Sequence, residues 1–166
     1  MSKKILVISD SHGRDANVKK ALSYFGKKGK ELEMLIHLGD SQGSLQEIER
    51  LAACPVKAVR GNCDFSGDFP IADFVWIGDE KALITHGHRY GCKFSTDGLR
   101  DMALANGATI AMFGHTHIPL VEENGGVKIL NPGSISQPRQ YSGKPSYLVI
   151  TIEDDGRKDF AVVEMD

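Results

Sequence analysis

No stretch of this sequence is apolar for the ~20 residues that a membrane span needs. The run from Ile5 to Ser9, "ILVIS", is too short for a signal peptide and leads straight into polar residues. A charge field of one sign is also missing. Lysine plus arginine number 20 against 22 for aspartate plus glutamate, a net charge of -2, which argues against global electrostatic capture of sequence-specific nucleic acid or a membrane surface. The longest basic cluster, Lys27, Lys28 and Lys30, is broken by Gly29 and reads as a solvated loop. Cysteine is scarce. Cys54, Cys63 and Cys92 are odd in number and form no C-x-x-C pair. They point away from a disulfide frame or zinc ribbon and towards reduced thiols in a cytoplasmic protein. Internal repeats and low-complexity segments are absent.

What is present suits one domain over residues 1–166. The chain is 41% hydrophobic and 25% charged, the composition of an ordinary globular protein with a proper core. "KKILVIS" is β-branched and apolar and predicts a buried strand. Asp15 to Phe25 carries apolar residues at helical spacing. Met34 to Leu38 predicts a strand, Ser44 to Ala53 a helix, and Val56 to Val59 a third strand. This β-α-β-α-β alternation predicts a parallel sheet with crossover helices. In the second half, Phe74–Ile77 with Lys81–Thr85, Leu120–Glu123 with Val127–Leu130, and Tyr147–Ile152 with Lys158–Val163 predict three hairpins. Leu99–Ala105 predicts a helix and Thr109–Phe113 a strand. The fold class expected is mixed α/β with two sheets, the second richer in hairpins.

Polar residues follow directly on the apolar runs in "ISDSH", "HLGD", "VRGNCD", "LITHGH" and "AMFGHTH". Active sites of α/β folds lie at the carboxyl ends of strands, so five strands would deliver polar tips to one rim. Asp10 and His12 stand two apart, and so do His115 and His117. In an extended segment that spacing puts both side chains on one face. Asp40 follows Gly39 and Asn62 follows Gly61, each glycine allowing a tight backbone turn. His86 ends a strand. Together these are two carboxylates, one amide and four imidazoles, with no thiolate required. Such donors suit manganese, iron, zinc or nickel rather than an iron–sulfur cluster. The set is too large for one zinc and right for two ions sharing a bridging carboxylate.

At these residues the sequence resembles the calcineurin-like metallophosphoesterases. Their order of motifs stands here as Asp10-Ser11-His12, Gly39-Asp40, Gly61-Asn62, His86-Gly87-His88 and Gly114-His115-Thr116-His117. The short length and the "NPGS" at Asn131 to Ser134 make it most similar to the small bacterial and archaeal phosphodiesterases of the YfcE type. The resemblance implies a sandwich of two sheets flanked by helices. It implies Asp10, His12 and His117 on one divalent ion, Asn62, His86 and His115 on a second, and Asp40 bridging, with manganese the first choice of metal. The implied reaction is in-line attack of a metal-bridging hydroxide on a small-molecule phosphodiester, His115 helping to stabilise the charge. One departure is visible. Many members read "GNH", whose histidine protonates the leaving group. Cys63 stands here, a poor substitute by its reference pKa of ~8.5, which makes His88 the candidate acid.

Other readings compete. "GDSQG", Gly39 to Gly43, matches a nucleophile-elbow pattern and would make Ser41 the nucleophile of a serine hydrolase. It leaves Asp10, Asn62 and His86 unexplained. The retromer scaffold subunit resembles the same fold and serves as a protein platform, but its ligand set is degraded where this one is complete. Cys63 reads as a residue lining the site, Cys54 and Cys92 as packing, and His37 as a core residue or a support for the ligands. Phe65, Phe69, Phe74 and Trp76 lean towards the core, the other choice being a surface for a partner subunit in a homo-oligomer.

Overall fold

The computed structural model describes residues 1–65 and 67–166. Strands β1 (Lys3–Ile8), β2 (Met34–His37) and β3 (Val56–Ala58) run parallel, as the alternation predicts, and are joined through helices α1 (Ala16–Ser23) and α2 (Leu45–Leu51). The Ser44 side chain caps α2 by accepting the Glu47 amide at 3.1 Å, an arrangement worth about 1 kcal/mol. The second half supplies β4 (Ala72–Ile77), β5 (Glu80–Thr85), α3 (Asp97–Ala105), β6 (Ile110–Met112), β7 (Leu120–Asn124), β8 (Val127–Asn131), β9 (Ser146–Ile152) and β10 (Lys158–Glu164). One sheet has the order β10-β9-β1-β2-β3 and the other β4-β5-β6-β8-β7. The third hairpin thus joins the first sheet. It pairs antiparallel with β1, Ile5 opposite Ile150, and covers an edge whose residues are buried on both faces. The basic cluster forms an exposed 3₁₀ turn at Lys27–Gly29, where Lys28 adopts a φ of 54°.

The two-residue period of the strands sorts their side chains into layers. Ile5, Val7, Ile36, Leu38 and Ile150 meet Ile84, Ile110, Met112 and Leu130 between the sheets. Leu6, Ile8 and Leu35 turn the other way and pack on Val18, Leu22 and Ile48 of α1 and α2. Leu83, Ala111 and Ile129 pack on Leu99 and Ala103 of α3. The result is a four-layer sandwich, helices outside and two mixed five-stranded sheets inside. It matters for the site because β1, β2, β3, β5 and β6 all end at the same rim.

Candidate metal centre

Beyond β1 the chain does not stay extended. Asp10 and His12 have φ of 55° and 49°, Asp40 56°, and His115 and His117 68° and 62°. The same-face argument for the two His- and Asp-spaced pairs therefore fails. The strands stop at Ile8 and Met112, and the side chains converge because single left-handed residues fold the backbone back over the rim. Such conformations cost of order 1–3 kcal/mol each and persist only where the surroundings enforce them. Here the loops zip together. Asp10 donates its amide to Gly39 O at 3.0 Å, His12 to Asp40 O at 2.9 Å, and Gly13 to Ser41 O at 2.8 Å. The glycines serve close approach. A Cβ on Gly61 would overlap the Asp40 carboxylate, and one on Gly114 would overlap Ser9 Oγ.

Three donor groups result among the described residues, each with its atoms within 4.8 Å of one another; His12, Asp40 and Cys63 form one, and the two without a thiol are, first, Asp10, His12 and His117, and second, Asp40, His86 and His115. Asp10 Oδ1 lies 3.2 Å from His117 Nε2 and 3.7 Å from both His12 and His86 Nε2. Asp40 Oδ2 lies 3.2 Å from His86 Nε2 and 3.8 Å from His12 Nε2, between the groups. Asn62 Oδ1 is 3.1 Å from His115 Nδ1, which brings the amide to the second group. All seven residues singled out in the sequence thus meet in one place.

The ring nitrogens are sorted by their partners. His86 Nδ1 donates to Leu38 O at 2.7 Å and His117 Nδ1 to Gln137 O at 2.7 Å, since a carbonyl can only accept. His12 Nδ1 contacts Gln42 Oε1 at 2.9 Å. With Nδ1 engaged, loss of the second proton from each neutral ring frees the Nε2 lone pair towards the shared space, the tautomer a metal ligand needs. Asp10 Oδ2 is saturated by Ser9 Oγ at 2.6 Å and the His115 amide at 3.0 Å, and Asp40 Oδ1 by the Cys63 amide at 2.8 Å. Within the two donor groups, Asp10 Oδ1 and His86 Nε2 are buried without a hydrogen-bond partner among the described residues. An unpaired buried polar atom costs about 1–3 kcal/mol. A cation held by each donor group would satisfy these atoms, so the donor set fits the metal that the sequence implies.

The field is that of charges held close. Burial works to raise the Asp10 carboxyl, but the His117, His12 and His86 imidazoles outweigh it and hold the group well below the ordinary carboxylate range. Asp40 is lowered likewise, burial being overcome by His86. Asp10 raises His12, and Asp40 with Asp10 raises His86 against the pull of burial. His115 is lowered to about 4, by burial and then by His86.

Sequence reasoning anticipated His37 as a core residue or support but missed the other supports. Asp64, buried, accepts the amides of Asp40 at 2.8 Å, Gly61 at 2.7 Å and Gln42 at 2.8 Å. Asn131 and Ser134 make "NPGS" more than a turn. Asn131 Nδ2 donates to Gly114 O at 3.1 Å, and Ser134 and Ser136 hydroxyls hold Asp10 O at 2.8 and 3.0 Å. His37 is a support as well as a core residue. Its Nδ1 accepts the Gly39 amide and its Nε2 meets Ser11 Oγ at 2.9 Å, tying the first two loops together. Burial lowers its pKa to about 4. A carboxylate after "GNC" and hydroxyls after "NPG" were the available signals.

The remaining residues separate clearly. His88 lies outside both donor groups, its ring centroid 5.4 Å from that of His86 and 6.1 Å from that of His115. Cys63 Sγ comes within 4.8 Å of donor atoms of His12 and Asp40, and burial followed by Asp40 pushes its thiol up. Ser41 Oγ exchanges hydrogen bonds with the Gly43 backbone rather than an imidazole, which removes the geometric basis for a serine nucleophile. Phe69 is buried and Phe74 packs beside α3, whereas Phe65 and Trp76 are exposed. Among the described residues no helix is long and apolar enough to cross a membrane.

With five motifs gathered at one rim, comparison with known proteins gives the family. Residues 4–155 match the model of the calcineurin-like phosphoesterase superfamily domain. The chain belongs to that family. It is 38% identical to the probable metallophosphoesterase YsnB of Bacillus subtilis, over 91% of this chain and 85% of YsnB. It is 32% identical to the phosphodiesterase YfcE of Escherichia coli, over 86% of this chain and 84% of YfcE. The crystal structure of a predicted phosphoesterase from Streptococcus pneumoniae superposes with a TM-score of 0.80 at 28% identity, over 98% of this chain and 99% of that one. Zinc-bound Vps29 of Entamoeba histolytica, at 22% identity and a TM-score of 0.73 over 98% and 99%, shares the fold alone.

Proposed function

We propose that this protein, acting as one catalytic domain, hydrolyses small-molecule phosphodiesters with two divalent ions. Asp10, His12 and His117 would hold the first, Asn62, His86 and His115 the second, and Asp40 Oδ2 both. The observation that carries the reading is the position of Asp40 Oδ2 between His12 and His86, beside two buried, unpartnered donor atoms. The donors are nitrogen and oxygen, so manganese is the first choice, with nickel, zinc or iron able to replace it. The three cysteines are all free, which suits the reducing cytoplasm. A complete donor set favours catalysis over a scaffold role on the same fold.

Bound ions would polarise the phosphoryl oxygens and lower the pKa of a water held between them. The chain does the rest. Leu38, Gln137 and Gln42 fix the imidazoles of His86, His117 and His12, so ligand geometry is set before substrate arrives. The His115 ring, low in pKa, stays neutral and therefore able to ligate, and through the ion it would help to stabilise the charge on the phosphate. Cys63 remains a neutral thiol. His88 would protonate the leaving oxygen. Burial and then His86 hold its pKa below the usual range, making it a stronger acid whose protonated fraction falls as pH rises.

A panel of diesters and monoesters against manganese-loaded protein tests the reading. The value of kcat/KM for bis(p-nitrophenyl) phosphate should exceed that for p-nitrophenyl phosphate. A clear monoester preference would overturn the diester assignment.

A further inference from the structure

Next to the donor groups, His88, Gly91, Cys92, Lys93, Phe94 and His115 line a small pocket of about 90 Å³. The chain builds it deliberately. Tyr90 donates its amide to Gly87 O at 3.0 Å, and Phe94 and Ser95 donate theirs to Gly91 O at 2.9 and 3.2 Å. These turns rest on Cys92 and Tyr90, which pack into the core beside α3. Anchoring Cys92 inward leaves Lys93 and Phe94 outward. Phe94 is 94% exposed, unusual for a residue type that is mostly buried. The opposite wall is polar. His88 Nδ1 is buried without a partner, and His115 belongs to the second donor group.

We propose that this pocket receives one ester group of the substrate, that the group is an aromatic ring carried on the ester oxygen, and that Phe94 is a specificity-determining residue. The proposal rests on the phosphodiesterase reading and adds a substrate class to it. Three features support it. The pocket shares His88 and His115 with the reaction centre, so what fills it must be joined directly to the phosphate. An enclosed cavity of roughly 150 Å³ holds one benzene, so an open pocket of about 90 Å³ takes part of a single ring, the rest projecting past the open mouth, and excludes a fused system. Its one large apolar lining residue is Phe94, and aromatic pairs favour offset or edge-on stacking. The unpartnered His88 Nδ1 would then face the ester oxygen rather than the ring.

The experiment compares two methyl phosphodiesters on manganese-loaded protein, one with a phenyl and one with a compact fluoroalkyl leaving group of matched acidity. Matching acidity removes the chemical step from the comparison. In Phe94→Ala, kcat/KM for the phenyl ester should fall about fivefold to tenfold more than for the fluoroalkyl ester, mostly through KM, in line with the size of aromatic pair energies. Phe94→Tyr should recover most of the loss. Because Phe94 is exposed, truncation removes no core packing and the melting temperature should match wild type. Equal losses on the two esters, or none on either, would overturn the proposal. Failure of the wild type on both esters would instead overturn the phosphodiesterase reading, and it would be seen before any variant is made.

Discussion

The Asp64 carboxylate holds the Asp40 loop from behind. One oxygen accepts the amides of Asp40 and Gly61 at 2.8 and 2.7 Å, and the other accepts that of Gln42 at 2.8 Å. Asp64 touches no ion site itself, yet it fixes the backbone that carries the shared carboxylate. Asp64→Ala leaves three amides without that acceptor, those of Asp40 and Gly61 buried. Metal affinity should fall about 10–100-fold, the usual cost of losing a ligand's support, as measured by manganese titration. Wild-type affinity in this variant would show that the loop holds its shape unaided.

Protons should compete with metal at unusually high pH. His12 and His86 are raised above the ordinary imidazole value of 6.5 by the carboxylates beside them. Between that value and their own they still carry protons in the stripped protein, and an imidazole must be neutral to ligate. Metal affinity should therefore rise with pH through and above about 6.5, with protons released on binding. Calorimetry in two buffers of different ionisation enthalpy reads that release. A flat affinity with no proton release would contradict the charge arrangement.

Gly61 is a test of packing rather than of chemistry. A Cβ there meets the Asp40 carboxylate and amide. Gly61→Ala should displace Asp40, weaken metal uptake and lower stability by about 1–3 kcal/mol, the range for overpacking. Thermal melting and metal content check both. A stable variant with full metal content would mean that the loops can spread at little cost.

His88 should act on the leaving group and not on the metal. General acid catalysis is worth roughly 10²–10⁴-fold where it operates. His88→Ala should keep two ions per chain, and its loss of rate should grow as the leaving group becomes more basic. The wild-type advantage should shrink as pH rises, because the acid form of a group with lowered pKa is depleted first. A uniform loss across the leaving-group series, or a missing ion, would return His88 to a supporting role.

The strands, their order along the chain and the seven donors were legible because they depend on local signals. Buried parallel strands read as β-branched runs, and Asp10, His12, Asp40, Asn62, His86, His115 and His117 follow within a few residues of a strand end. The route by which they converge was not legible. Left-handed φ at Asp10, His12, Asp40, His115 and His117 arises from loop-to-loop amide bonds between segments distant in sequence. The supports were hidden for the same reason. Asp64 and Ser134 become meaningful only when the folded chain sets them behind Asp40 and Asp10. The aromatic residues divided because period-2 patterning cannot tell an edge strand's outer face from a buried one. Trp76 on β4 faces solvent while its neighbours Val75 and Ile77 are buried.

The most direct test strips the protein with a chelator and titrates manganese back, following bound metal and the hydrolysis of bis(p-nitrophenyl) phosphate together, in wild type and in Asp40→Asn. The stripped protein should be inactive, the rate should climb until two ions are bound per chain, and Asp40→Asn should lose most of the activity, as expected if both ions share that carboxylate. Full activity in the stripped protein would contradict a two-metal phosphodiesterase outright.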